Sequence, residues 1–179
     1  MIYEIPNIVS SEFCDEVIEY FDKSGKRSWW QDHEDFRGRT LSPKDIDDNP
    51  ELVLKIKAFQ QKAVQIASKL FYNEKFIYCE FMDVVYWGPG MSMKPHIDNG
   101  YSDDDPLRSR YYSSICYLND NYVGGHTIFP DQNKACIPEK GKMVIFPSSI
   151  EHGVSEVENG SRYTLATWFT IFEDCVFDF

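Results

Sequence analysis

The tripeptide His96-Ile97-Asp98, joined far downstream by His152 and then by Arg162, supplies the residue types for metal chemistry. On an extended strand residues two apart share a face, so His96 and Asp98 can reach one ion while Ile97 packs behind them. A distant strand that delivers His152 completes a set of two imidazoles and one carboxylate on one side of the ion and leaves its other side open. That facial set suits non-haem Fe(II) and O2 chemistry. Alone the tripeptide is weak, because H-x-D is frequent by chance and its plain alternative is a pair of surface histidines.

The elements that must position these groups fall into two zones. A short strand at 2–5 precedes a helix opened by Ser10-Ser11-Glu12 and running to about Lys23, with Phe13, Val17, Ile18 and Phe21 on one stripe. A second helix starts at Pro50 and reaches about Tyr72, with Leu52, Ile56, Phe59, Ala63, Ile66, Ala67 and Leu70 on its apolar face. From Phe76 onward the pattern becomes β-rich runs at 76–87, 94–98, 110–118, 126–129, 134–137, 142–146, 150–154 and 161–172. A mainly β fold with flanking helices follows, a jelly roll braced by the N-terminal helices. The reading is one domain over 1–179, with 1–75 as helical support, 76–172 as core and 173–179 as a C-terminal tail. In the last strand Arg162, Thr164, Ala166 and Trp168 share one face, and Tyr163, Leu165, Thr167 and Phe169 the other. Stretches 28–49 and 99–109 lack periodicity and are expected to be loops over the mouth of the core, mobile or simply solvated.

The company around the tripeptide gives it weight. In order along the chain stand Tyr86-Trp87-Gly88-Pro89-Gly90, Tyr117-Leu118-Asn119, Gly124-Gly125-His126-Thr127-Ile128-Phe129, Pro138 with Gly141 and Met143-Val144-Ile145-Phe146, His152-Gly153-Val154, and Gly160-Ser161-Arg162-Tyr163. Together they closely resemble the prolyl 4-hydroxylase-like branch of the 2-oxoglutarate and Fe(II)-dependent dioxygenases, over about residues 76–172. The first 75 residues are similar only in how they open. The resemblance implies a double-stranded β-helix with its site in the mouth between two sheets. It implies Fe(II) on His96, Asp98 and His152, 2-oxoglutarate and O2 as co-substrates, and ascorbate as a reductant. By the same resemblance Arg162 pairs with the distal carboxylate of 2-oxoglutarate, Tyr117 faces that co-substrate, and Tyr86 faces the co-substrate or the substrate. A carboxylate at Asp98, where halogenases of the wider superfamily carry a small residue, implies hydroxylation. His126 departs from the Glu that many relatives carry in G-G-E-T and is read as structural, or as supporting the ligands from behind. His33 is read as a surface residue.

The implied reaction is hydroxylation of an unactivated C–H, foremost in prolyl residues of a peptide or protein, with release of succinate and CO2. Two alternatives stay open: a hydroxylase of a free amino acid or other small metabolite, and a non-catalytic binding module on the same fold. Trp29, Trp30, Trp87, Tyr101, Tyr111 and Tyr112 are candidates for an aromatic peptide groove. Eighteen basic against 29 acidic residues give a net charge of −11 over 179 residues, a field that repels phosphate backbones and suits basic or neutral peptides. A nucleic-acid substrate is also disfavoured because the segment from Arg162 to Trp168 lacks the R-x-N-x-T-x-R ending of repair dealkylases. The five cysteines form no C-x-x-C pair and no zinc spacing, so a reduced, cytoplasmic setting is expected. No run reads as a membrane span or a leader, and a soluble, unprocessed protein with no membrane partner is expected.

Overall fold

The structure, a computed structural model, describes residues 1–28, 38–71, 76–100 and 106–179. Trp29, Trp30, His33 and Tyr101 lie outside the described residues, as do 29–37 and 101–105 of the two expected loops. Two helices form where caps and apolar stripes coincide. In α1 (Ser11–Ser24) the Ser10 hydroxyl accepts from the Phe13 N–H at 3.2 Å, and Gly25 ends the helix at φ 65°. In α2 (Pro50–Leu70) the Asn49 side chain accepts from the Leu52 N–H at 3.1 Å, and Pro50 occupies a first-turn position that has no N–H to lose.

Among the described residues twelve strands follow the chain: β1 (Tyr3–Ile5), β2 (Thr40–Leu41), β3 (Tyr78–Trp87), β4 (Met93–His96), β5 (Tyr112–Tyr117), β6 (Val123–Gly124), β7 (Thr127–Phe129), β8 (Lys134–Cys136), β9 (Met143–Pro147), β10 (His152–Val154), β11 (Val157–Asn159) and β12 (Arg162–Thr170). The six-stranded sheet runs β1-β9-β5-β12-β3-β2, and the four-stranded sheet runs β4-β10-β7-β8. β11 and β6 make a separate pair. All pairings are antiparallel, as a jelly roll requires.

Alternation along the large sheet decides which side chains meet the helices and which meet the site. Val84, Cys116, Met143, Ile145 and Leu165 face outward and pack with Phe13, Val17, Phe21, Ile56 and Phe59 of the helices in the main core. Their immediate neighbours Val85, Tyr117, Val144, Phe146 and Ala166 face inward, toward the four-stranded sheet. A fully buried Phe, Leu or Ile contributes roughly 1.5–3 kcal/mol, so the apolar faces, more than polar contacts, hold the helices to the sheet. The eight expected β runs correspond to β3, β4, β5, β7, β8, β9, β10 and β12. The expected strand 94–98 is shorter, ending at His96, and three elements of two or three residues, β2, β6 and β11, had no counterpart in the sequence pattern. Within the expected loops, Pro43–Asp45 and Pro106–Ser109 form 3-10 turns.

Candidate metal centre and its cavity

β10 pairs with β4 so that His152 stands opposite His96. Gly153 permits the close approach: a Cβ there would sit 2.6 Å from the Met93 carbonyl oxygen. Asp98 is not on the strand. It follows the end of β4 in a bend, where its N–H donates to the Ser148 carbonyl at 2.9 Å and turns the carboxylate back between the two imidazoles. The ligand atoms of His96, Asp98 and His152 all lie within 4.8 Å of one another, the only such cluster of metal-ligand type among the described residues.

The hydrogen bonds around this cluster call for a cation. Nδ1 of His96 lies 3.0 Å from the Lys94 carbonyl, and Nδ1 of His152 lies 3.0 Å from the Ile150 carbonyl. A carbonyl only accepts, so each Nδ1 carries the proton and each neutral ring presents a bare lone pair at Nε2. Those lone pairs stand 3.4 Å from the two oxygens of Asp98. In the neutral form of each ring those lone pairs repel the carboxylate, and only protons or a metal ion between them remove the repulsion. Burial alone raises the Asp98 carboxyl, but His152 and His96 outweigh it and hold Asp98 well below the usual carboxylate range. Burial likewise opposes charge on His96, and the Asp98 carboxylate overcomes it and raises the imidazole. A divalent cation relieves all three groups at once, and the donor set of two nitrogens and one carboxylate suits Fe(II).

The triad opens into a cavity of about 270 Å³ that runs between the two sheets. The inward face of β12 lines it with Arg162, Thr164, Ala166 and Trp168, as the alternation predicts. Arg162 is 1% exposed, and among the described residues it has no carboxylate partner. Its Nη2 donates to Thr127 Oγ1 at 3.3 Å, the same oxygen that receives the Tyr117 hydroxyl at 2.7 Å, while its Nε has no partner. A buried guanidinium with unspent donors needs an anion, and its fork matches a carboxylate. Gly125, at φ 61°, leaves room for this side chain, since a Cβ there would come within 3.1 Å of Arg162 Cδ. One end of the cavity therefore suits the distal carboxylate of 2-oxoglutarate, with the metal ligands beside it.

The sequence expectation for the tyrosines divides. Tyr117 is fully buried behind Arg162, 5.6 Å from its guanidinium, and it is the Thr127 hydroxyl in front of it that lines the cavity. Tyr86 does not reach the site. It lies on the outward face of β3 against Phe21 and Tyr163, because the inward residues of that strand are Asp83, Val85 and Trp87. Trp87 holds the place expected of Tyr86 and pairs in register with Arg162. His126 is outside the triad: its N–H donates to the Ser155 hydroxyl at 2.9 Å and its carbonyl accepts from the Ser155 N–H at 2.9 Å, so its backbone ties β7 to the chain after β10. Of the expected aromatic groove, Trp87 lines the cavity, whereas Tyr112 stacks on Phe71 at 3.8 Å and Tyr111 is exposed. Asp83, Arg110 and the role of Thr127 were not singled out from sequence, although β3 alternation could have flagged Asp83.

Residues 82–170 match the sequence model of the 2OG-Fe(II) oxygenase superfamily. Human prolyl 3-hydroxylase 3 is 40% identical over 96 residues, 45% of this chain and 13% of that protein, and rat prolyl 3-hydroxylase 2 is 31% identical over 86 residues, 44% of this chain and 12% of that protein. The chain thus spans about an eighth of the curated relatives it matches. Among solved structures, the viral collagen prolyl hydroxylase of Paramecium Bursaria Chlorella virus-1 in its 2OG complex superposes with a TM-score of 0.74 at 19% identity, covering 96% of each chain. A Trichoplax adhaerens prolyl hydroxylase in complex with a hypoxia inducible factor oxygen degradation domain peptide superposes with a TM-score of 0.70 at 18% identity, covering 94% of this chain and 83% of that one. With the jelly roll, the metal-ligand triad and the buried Arg162 in place, residues 82–170 form a domain of the 2-oxoglutarate and Fe(II)-dependent oxygenase superfamily, on a fold similar to that of prolyl hydroxylases.

Proposed function

We propose that this protein is a 2-oxoglutarate and Fe(II)-dependent dioxygenase that hydroxylates an unactivated C–H of prolyl residues in a peptide or protein. The observation that carries the reading is that the two-histidine, one-carboxylate cluster and an orphaned, buried arginine open into the same cavity. The prolyl hydroxylase relatives, and the peptide held by the Trichoplax protein, support the choice of substrate. Its five unpaired thiols suit a reducing compartment such as the cytoplasm, and ascorbate is the reductant we assign to it.

When bound, Fe(II) with 2-oxoglutarate and O2 supplies the oxidising power for C–H hydroxylation, with succinate and CO2 as products. The chain itself contributes position and dryness. His96, Asp98 and His152 hold the metal from one side. Arg162, steadied by Thr127 and through it by Tyr117, anchors the far carboxylate of the co-substrate. Val85, Ile115, Val154 and Ala166 make the cavity walls apolar, which excludes water from the reacting centre. No side chain is required as a general base, since no proton is abstracted from the substrate carbon.

The test is succinate formation by anaerobically iron-loaded protein given 2-oxoglutarate and O2, with and without proline-containing peptides, beside a His96→Ala control. Peptide-stimulated succinate and a product heavier by one oxygen atom, both lost in the control, are expected. Turnover that free amino acids stimulate and peptides do not would replace this reading with a small-molecule hydroxylase. Bound iron with no turnover would replace it with a binding module.

A further inference from the structure

The mechanism above uses the Arg162 end of the cavity and leaves a second polar group unexplained. β3 and β12 pair so that Arg162 faces Trp87, Thr164 faces Val85 and Ala166 faces Asp83. Four residues along β12, roughly 13 Å from the Arg162 position, a carboxyl therefore projects into an otherwise apolar wall. Asp83 is 1% exposed and lines the cavity, and its Oδ1 has no hydrogen-bond partner. The cation that acts on it gives it little: Arg110 donates through Nε to Glu80 at 3.0 Å and lies over the Trp168 ring at 4.5 Å. Burial pushes the Asp83 carboxyl well up, the Asp45 carboxylate pushes it further, and Arg110 offsets this only in part. A group so costly to keep calls for a ligand.

We propose that Asp83 determines substrate specificity by taking a basic group of the substrate, a lysine or arginine side chain near the residue to be hydroxylated. The inference rests on the peptide reading given above. Leu107, Ile115, Ala166 and the Trp168 ring offer apolar surface to an aliphatic stem, and Asp83 offers the counter-charge at its tip. With Arg110 already matched by Glu80, the Asp83 carboxyl has no cation of its own on this wall, in a chain whose net charge is −11. A cation satisfies the orphaned oxygen and, by pairing with it, favours the ionised carboxylate that burial alone disfavours. A neutral amide satisfies only the first.

Two peptide series separate these cases: lysine and norleucine, each placed in turn at the positions flanking one proline. Affinities are measured by calorimetry on protein loaded with Fe(II) and 2-oxoglutarate without O2, so that nothing turns over. At one or more positions lysine is expected to bind about tenfold tighter than norleucine, and Asp83→Asn is expected to bring the pair to within about twofold. Equal affinities in the wild-type protein at every position, or a lysine preference that survives Asp83→Asn, overturn the inference. The wild-type comparison decides even if the variant does not fold. Admitting O2 to the same mixtures tests the other reading separately. A lysine preference without hydroxylation keeps the role of Asp83 and removes the hydroxylase assignment, whereas equal binding and hydroxylation of both series does the reverse.

Discussion

Arg162→Met is expected to stabilise the metal-free protein and to abolish its response to 2-oxoglutarate. Arg162 is buried, its Nε has no partner, and its contact to Thr127 is a long 3.3 Å hydrogen bond. An unsatisfied buried donor costs about 1–3 kcal/mol, and exchanging a buried charge for an apolar side chain of similar length removes that cost. For a chain of this size each kcal/mol shifts the melting temperature by roughly 2–4 °C, so metal-free Arg162→Met should melt several degrees above wild type. The co-substrate gives the opposite sign. Losing one partner of a buried charge pair costs about 3–5 kcal/mol, a weakening of about two to nearly four orders of magnitude. With Fe(II) present, O2 excluded and 2-oxoglutarate at about 100 times its Kd, the wild-type protein gains about 2.7 kcal/mol, and Arg162→Met should gain almost none. Thermal unfolding of both proteins with and without ligands reads both effects. A variant that is less stable when metal-free, or that keeps the ligand-induced shift, refutes the assignment of Arg162 as an anion site that lacks its anion.

Three further outcomes follow from the same geometry. Because its folded pKa is raised, Asp83 contributes stability that is present below the unfolded carboxylate pKa and lost as pH rises through the folded value; Asp83→Asn should therefore gain on wild type as pH is raised above about 4. Denaturation curves between pH 4 and 8 that stay parallel for the two proteins would sink this account. Gly153→Ala puts a Cβ 2.6 Å from the Met93 carbonyl and should force β10 from β4, costing about 1–3 kcal/mol of stability and most of the metal affinity; a variant that titrates with metal like wild type contradicts it. Tyr117→Phe removes the 2.7 Å bond to Thr127 and should weaken 2-oxoglutarate about tenfold, while Tyr86→Phe, changed on the helix side of the sheet, should leave that affinity within about twofold; the reverse ranking in a binding titration would place the wrong tyrosine at the site.

Local signals with one physical meaning were legible in the sequence, and those with two were not. Ser10 and Pro50 read correctly as helix starts because capping and first-turn proline are local chemistry. The face of β12 read correctly because Arg162 and Thr164 mark one side. Tyr86 was placed by resemblance, and alternation along β3 could not check it because the strand is covered on both faces: Val84 and Val85 are both buried, so the register is ambiguous by one residue. Asp83 was the one polar mark in the run from Met82 to Val85 that could have resolved it. The ligand triad was legible because two histidines and an aspartate must converge, yet the path of Asp98 was not, since the bend after His96 depends on Ser148 in another segment. The link from Tyr117 through Thr127 to Arg162 joins three strands and has no local signature.

β4, which carries His96 and leads directly into Asp98, is four residues long and lies at the edge of the smaller sheet, with β10 as its one neighbour there. Two of the three ligands thus belong to a thinly anchored stretch of backbone, and the third belongs to the strand that secures it. An ion bound between them acts as a clasp, so metal occupancy sets how often this margin of the barrel opens. Amide exchange along Met93–His96 should slow on loading far more than exchange in β3 or β12, and proteolytic nicking should favour the unloaded protein at this edge. Iron in this protein is then a fastener of the mouth as well as a reagent within it.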